Sequence, residues 1–172
     1  MVHKSDIPSV FILIGPKGCG KTTIGGLLER VLGIPFLRVE PLVLQNMKTS
    51  SLTGYELEKE GFHQEEKAIA SIVARENAVI FEATGSSSYF PEVLARLRSN
   101  YRVRLIRVWC PLPTCAERVA QRDTTDHIPV SGELLESINQ RADKVELDWD
   151  LEIDNSGPAS DESIVRLFRT II

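Results

Sequence analysis

The sequence is short of cysteine, aromatic residues and long apolar runs, and has no excess of positive charge. Its three cysteines, Cys19, Cys110 and Cys115, are an odd number without paired metal-ligand spacing, so reduced thiols and a cytoplasmic setting are expected. Aromatic residues make up only 6% and do not interleave with basic ones, which removes the stacking platform of a single-strand nucleic-acid binder. The longest apolar run, 10–14, cannot span a bilayer, and Lys4 and Asp6 ahead of it make no signal-peptide pattern. Lysine and arginine number 20 against 24 acidic residues, a net charge of −4, so no membrane or broad nucleic-acid partner is expected. The guanine-reading Asn-Lys-x-Asp signature is absent, which weighs against a GTPase. The chain is also short for a hexameric motor ATPase.

What is present is the composition of a globular protein, 42% hydrophobic and 26% charged. At 172 residues the expectation is a single domain over 1–172 that needs no disulfide or structural metal for its core. Short apolar runs at 9–14, 36–39, 78–81, 103–109 and 151–153 read as strands. Between them, 21–32, 90–98, 113–122, 133–145 and 161–168 carry helical spacing, and Gly33 stops the first helix. The stretch 53–75 also reads as helical, opened by a Thr53/Glu56 capping box and interrupted at Gly61, which predicts two helices there. Pro41 closes the second strand. Strands alternating with helices predict an α/β fold, a five-stranded parallel sheet flanked by helices in the order 2-3-1-4-5.

Gly15-Pro16-Lys17-Gly18-Cys19-Gly20-Lys21-Thr22 satisfies G-x-x-x-x-G-K-[ST] and falls between a predicted strand and a predicted helix. Glycines at these positions let backbone N–H groups turn in around phosphate oxygens, and the helix N-terminus adds partial positive charge. The motif calls for ATP and Mg²⁺, with Lys21 reaching the β- and γ-phosphates, Thr22 on the metal and Thr23 completing the loop. Cys19 reads as a space-filler in that loop. This is the P-loop nucleoside triphosphate hydrolase fold, used here by a small phosphotransferase with its own acceptor site.

The middle of the chain resembles the shikimate kinases, within the wider group of nucleoside-monophosphate-kinase-like proteins. Gly61-Phe62-His63-Gln64-Glu65-Glu66 stands where that family has Gly-Phe-Arg-x-x-Glu, and Ala83-Thr84-Gly85 stands where it has Ala-Thr-Gly-Gly-Gly. The P-loop, Phe36-Leu37-Arg38-Val39-Glu40 and the Arg118/Arg122 pair follow in the family's order. Asp154-Asn155-Ser156-Gly157 is similar to the adenine-side loop of dephospho-coenzyme A kinases. The resemblance implies that Arg118 stacks on adenine, that Arg122 approaches the transferring phosphate, that Asn155 contacts adenine and that Arg141 binds substrate or phosphate. Spaced one turn apart, Arg118 and Arg122 are expected on one helix face. Residues 123–131, with an exposed His127, would form the lid over ATP, and 41–76 the acceptor-binding helical segment.

The departures fall on the acceptor half. Arg38 and Glu40 replace the family's Asp-x-Asp, His63 replaces the arginine that grips an acceptor carboxylate, and Ser86-Ser87 replaces two glycines. Glu82, absent from the family at that point, ends the third strand. Glu40, expected at the C-terminal end of the second strand, is the candidate that accepts a hydroxyl proton or orients the acceptor. Glu82 is the candidate for Mg²⁺ or acceptor, and Thr84, Gly85 and Ser86 would face the acceptor. The reading is ATP- and Mg²⁺-dependent phosphoryl transfer to a small-molecule acceptor other than shikimate, by a monomer or homodimer. The alternatives are a nucleoside or nucleotide kinase and a slow ATP-hydrolysing switch; a polynucleotide 5′-hydroxyl kinase would need a basic track that the charge does not suggest.

Overall fold

The structure is a computed structural model and describes residues 7–122, 127, 130, 132–157 and 159–172. Five parallel strands form one sheet in the order β2-β3-β1-β4-β5. They are β1 Ser9–Ile14, β2 Phe36–Leu37, β3 Ala78–Ala83, β4 Arg102–Trp109 and β5 Leu151–Asp154. The helices are α1 Lys21–Leu32, α2 Val39–Thr49, α3 Gly54–Glu76, α4 Phe90–Asn100, α5 Leu112–Gln121, α6 Gly132–Asp143 and α7 Asp161–Phe168.

The central strand shows why the run at 10–14 is continuously apolar: it is covered on both sides. Side chains alternate across a strand, and β1 divides accordingly. Phe11 and Leu13 join Leu27 and Leu28 of α1 and Phe168 of α7. The Phe11 and Phe168 rings lie 4.9 Å apart. Val10, Ile12 and Ile14 join Ile69 and Val73 of α3 and Val93, Leu94 and Leu97 of α4 on the other face. In register, Leu13 stands beside Glu82 of β3 and Ile106 of β4. The sheet therefore delivers the ends of β1 and β3 to one place, the C-terminal edge where open α/β sheets bind ligands.

Two expectations for the segment after α1 do not hold. The second strand covers Phe36–Leu37 alone, and Val39 already begins α2. Pro41 opens that helix rather than closing a strand, because a first-turn N–H has no intrahelical acceptor to lose. Gly61 does not break 53–75 into two helices: α3 runs unbroken for 23 residues. A mid-helix glycine weakens a helix by only about 0.5–1 kcal/mol, and Gly61 is buried with Val43 of α2 just 4.0 Å from where its Cβ would stand. Thr53 is the N-cap residue in extended conformation, but its side chain makes no capping hydrogen bond, so the capping box is not formed. Among the described residues no helix is long and apolar enough to cross a membrane.

Candidate active site

The loop 15–20 leaves β1 and enters α1 through two residues that only glycine tolerates. Gly18 has φ +91° and Gly20 φ +102°, in the left-handed region disfavoured for other residues. A Cβ on Gly18 would stand 2.2 Å from the Cys115 carbonyl oxygen, and one on Gly20 would stand 2.2 Å from Asn155 Nδ2. Cys19 between them is fully buried, and burial pushes its thiol pKa up despite the neighbouring Lys21. It fills space, as expected.

Lys21 opens α1, is 8% exposed, and donates from Nζ to the carbonyl oxygens of Gly15 and Pro16, both at 2.8 Å. Thr22 follows it and donates from Oγ1 to Glu82 Oε2 at 2.8 Å. Glu82 is also 8% exposed and sits within β3 rather than ending it, since β3 continues through Ala83. A hydroxyl and a carboxylate oxygen in contact at the N-terminus of α1 are the hard donor set that Mg²⁺ takes. The Lys21 ammonium held against the loop carbonyls is the cation a phosphate chain requires. The residues present therefore fit both groups.

Two asparagines brace the loop from outside. Asn139 of α6, 3% exposed, accepts from the Lys17 backbone N–H at 2.8 Å and donates to the Lys17 carbonyl at 2.9 Å. Asn155 donates from Nδ2 to the Cys19 carbonyl at 2.7 Å, and Arg118 donates to the Asn155 carbonyl at 3.0 Å. Arg118 also approaches Cys110 Sγ at 3.6 Å. Asn139 went unnoticed in the sequence. Its signal was available, because Leu135, Asn139 and Ala142 are spaced four and three apart and all are buried. A polar residue in a core stripe needs partners, and these are the loop's backbone groups.

Glu40 is placed differently from its expected position. It lies in the first turn of α2 rather than at a strand end, where Lys17 Nζ donates to Oε1 at 2.7 Å and His127 Nδ1 lies 2.5 Å from Oε2. Burial pushes the Glu40 carboxyl pKa up, but the bonds and charges of Lys17 and His127 outweigh it and hold the pKa below the ordinary carboxylate value. His127 is thus largely buried against Glu40, not exposed as expected. Arg122 Nη1 approaches the same imidazole at 3.4 Å. Arg122 and Arg118 do not share a helix face: α5 ends at Gln121, and Arg122 is extended at φ −84°, ψ 154°. The remainder of the expected lid, apart from Val130, lies outside the described residues.

A cavity of about 610 Å³ joins these groups to α2 and α3. Lys17, Lys21, Thr22, Glu82 and Arg122 line one end. At the other end stand Val39 and Val43 of α2, Leu57, Phe62 and Glu65 of α3, and Leu134 of α6. Glu40 and Glu58 also line it, as do Ala83, Thr84, Gly85 and Ser87. Ser86 is absent from the lining and its hydroxyl pairs with Thr84 Oγ1 at 3.0 Å. Arg38 is outside the lining as well. His63 is about half exposed, 3.9 Å from Glu66, and does not reach the cavity. Arg141 is exposed on α6, donating to the Ser137 carbonyl at 3.4 Å.

A parallel 2-3-1-4-5 sheet with a glycine-rich loop between β1 and α1 defines a P-loop kinase fold. Within it, the shikimate kinase family model matches residues 17–171, and the chain belongs to that family. The chain is 31% identical over 139 residues to shikimate kinase 2 of Salmonella paratyphi B, covering 75% of this chain and 74% of that one. It spans about half the length of other curated shikimate kinases it matches. In fold it is similar to a shikimate kinase from Aquifex aeolicus, with TM-score 0.62, 21% identity, and 94% of both chains covered. It is also similar to a gluconokinase from Sinorhizobium meliloti, with TM-score 0.64, 18% identity, and 96% of this chain and 95% of that chain covered.

Proposed function

We propose that the protein transfers the γ-phosphoryl group of ATP to a hydroxyl of a small molecule that carries no carboxylate where shikimate does. The observation that carries this reading is the cavity of about 610 Å³. It runs from Lys21 and Thr22 at one end to an apolar wall of α2 and α3 at the other, as a kinase that must hold two substrates end to end requires. The gluconokinase and shikimate kinase neighbours support a hydroxyl acceptor on this fold.

In this reading the backbone N–H groups of 15–20 hold the phosphates, braced by Asn139 and Asn155. Lys21 exchanges its bonds to Gly15 and Pro16 for phosphate oxygens, and Arg122 draws charge from the transferring group. Thr22 and Glu82 would hold Mg²⁺, which would neutralise phosphate charge. Glu40, kept ionised by Lys17 and His127, orients the acceptor hydroxyl or takes its proton. Arg118 and Asn155 sit together at the adenine-side loop. His63 and Arg141 have no place at the acceptor in this arrangement.

The test is ATP turnover with and without acceptor. A kinase leaves ATP nearly intact alone and consumes it when a hydroxyl compound from a metabolite extract is supplied, with a phosphorylated product seen by mass spectrometry. Hydrolysis that no extract fraction stimulates would refute it and favour a switch.

A further inference from the structure

Glu65 has a position that neither the phosphate chemistry nor the fold requires. It is 5% exposed, on the cavity-facing side of α3, one turn from Gly61 and three residues from Phe62, which line the same wall. Its neighbour Glu66 is fully engaged, receiving Arg96 Nε and Nη2 at 2.8 and 2.9 Å. Glu65 has no hydrogen-bond or ion-pair partner among the described residues. A carboxyl buried to that degree without a partner costs on the order of several kcal/mol unless it is protonated or a ligand satisfies it.

Charge is divided along the cavity. Its lining cations, Lys17, Lys21 and Arg122, all stand at the phosphate end, and Lys17 is already bonded to Glu40. Around Glu65 stand Glu66, adjacent on α3, and Glu82, whose charge reaches it from the phosphate end, while Glu58 lines the cavity about two turns earlier on the same helix; the rest of the wall is Val39, Val43, Leu57 and Phe62. An anionic acceptor group meets only carboxylates there. A neutral hydroxyl would satisfy one bond and leave the carboxyl protonated. A basic nitrogen does more, because it donates a hydrogen bond and supplies the charge that lets the carboxyl ionise in a site of low dielectric.

We infer that Glu65 is the acceptor-recognition residue and that the acceptor is an amine-bearing hydroxyl compound, its cationic nitrogen seated against Glu65 within the α2–α3 wall. This rests on the kinase reading above and names its substrate class. The arrangement has a proton signature. Burial, then Glu66 and Glu82, raise the Glu65 carboxyl pKa to about 8, so the free site is mostly protonated at pH 7. Seating a cation ionises it and releases close to one proton.

The experiment is calorimetry of the full chain at pH 7 with a matched pair of probes, benzylamine and benzyl alcohol, in two buffers of different ionisation enthalpy. The amine should bind at least about tenfold more tightly than the alcohol, a difference of about 1.4 kcal/mol, and release most of one proton. Glu65→Gln should abolish both the preference and the release, and Glu58→Gln should keep the release. Equal affinities, a preference for the alcohol, no binding of either probe, or binding without proton release would overturn the proposal. Should Glu65→Gln fail to fold, the proton count of the unaltered protein still decides. A protein that shows the ATP·Mg²⁺ melting shift but no amine preference refutes this inference alone; one without that shift refutes the kinase reading.

Discussion

Gly20→Ala and Asn155→Ala should not add, and the size of the shortfall follows from the loop geometry. An alanine at Gly20 suffers twice. Its backbone is held at φ +102°, ψ 13°, which disfavours an L side chain by about 1–2 kcal/mol. Its Cβ also falls 2.2 Å from Asn155 Nδ2, so the amide must swing away and give up its 2.7 Å bond to the Cys19 carbonyl. Such a bond is worth about 1 kcal/mol. Asn155→Ala loses that same bond and nothing else at the loop. The single changes should therefore cost about 2–3 and about 1 kcal/mol, and the pair about 2–3 rather than the 3–4 of their sum. Urea unfolding of the four proteins, with two probes to check two-state behaviour, gives the coupling directly. A sum additive to within about 0.3 kcal/mol would refute the contact between this glycine and Asn155.

Three other outcomes follow from the site. ATP with Mg²⁺ should raise the melting temperature, and Lys21→Ala should remove most of that rise, because its ammonium is the buried cation of the loop. An undiminished shift in the variant would place the nucleotide elsewhere. Shikimate should be a poor substrate, since the absent arginine fork is worth about 1.5–3 kcal/mol per charge-assisted bond and His63 does not reach the cavity; saturation below about 1 mM with turnover of several per second would refute this. The contribution of Glu65 to stability should fall as pH rises from 4.5 toward about 8, because Glu65 holds its proton in the folded chain and loses it unfolded, so at this group the unfolded state binds fewer protons across that window. By pH 7 the loss is about 3 kcal/mol at 1.36 kcal/mol per pH unit. Glu65→Gln should remove this component from the urea midpoints at pH 5, 7 and 8, and an unchanged pH profile in the variant would count against the burial of that carboxyl.

The parts of the fold that were legible are those where one local signal suffices. The run 9–14 has to be a buried strand because it is too short and too β-branched to be a helix, and the P-loop spacing then fixes where α1 begins. The last helix, Asp161–Phe168, was equally plain and is capped by Ser160, whose side chain accepts from the Ser163 N–H. Where local signals misled, tertiary packing had overridden them. Phe36–Val39 reads as a strand by composition, yet two residues suffice to pair with Ile80 and Phe81 before the chain turns into α2. Gly61 reads as a break, yet its backbone is helical and the residue is buried beside Val43 of α2, so packing carries the helix through it. Arg118 and Arg122 are four apart, yet the helix ends between them.

The nucleotide half of the site was legible because a P-loop is contiguous in sequence, whereas the acceptor half is assembled across long separations that periodicity does not record. Glu40 meets His127 across 87 residues, and the far wall of the cavity joins Val43 of α2 to Leu134 of α6. A family pattern transfers positions, and it pointed to His63 because an arginine stands there in shikimate kinases. Side-chain direction on α3 is set instead by which residues the sheet and α2 bury. That places Phe62 and Glu65 inward and leaves His63 beside Glu66 and solvent. Positions 62 and 65 are three apart on one face, as helix geometry requires, and 63 is rotated about 100° from 62. A test of acceptor choice is therefore better aimed at the buried carboxyl at 65 than at the lost arginine at 63, because only the former lines the cavity.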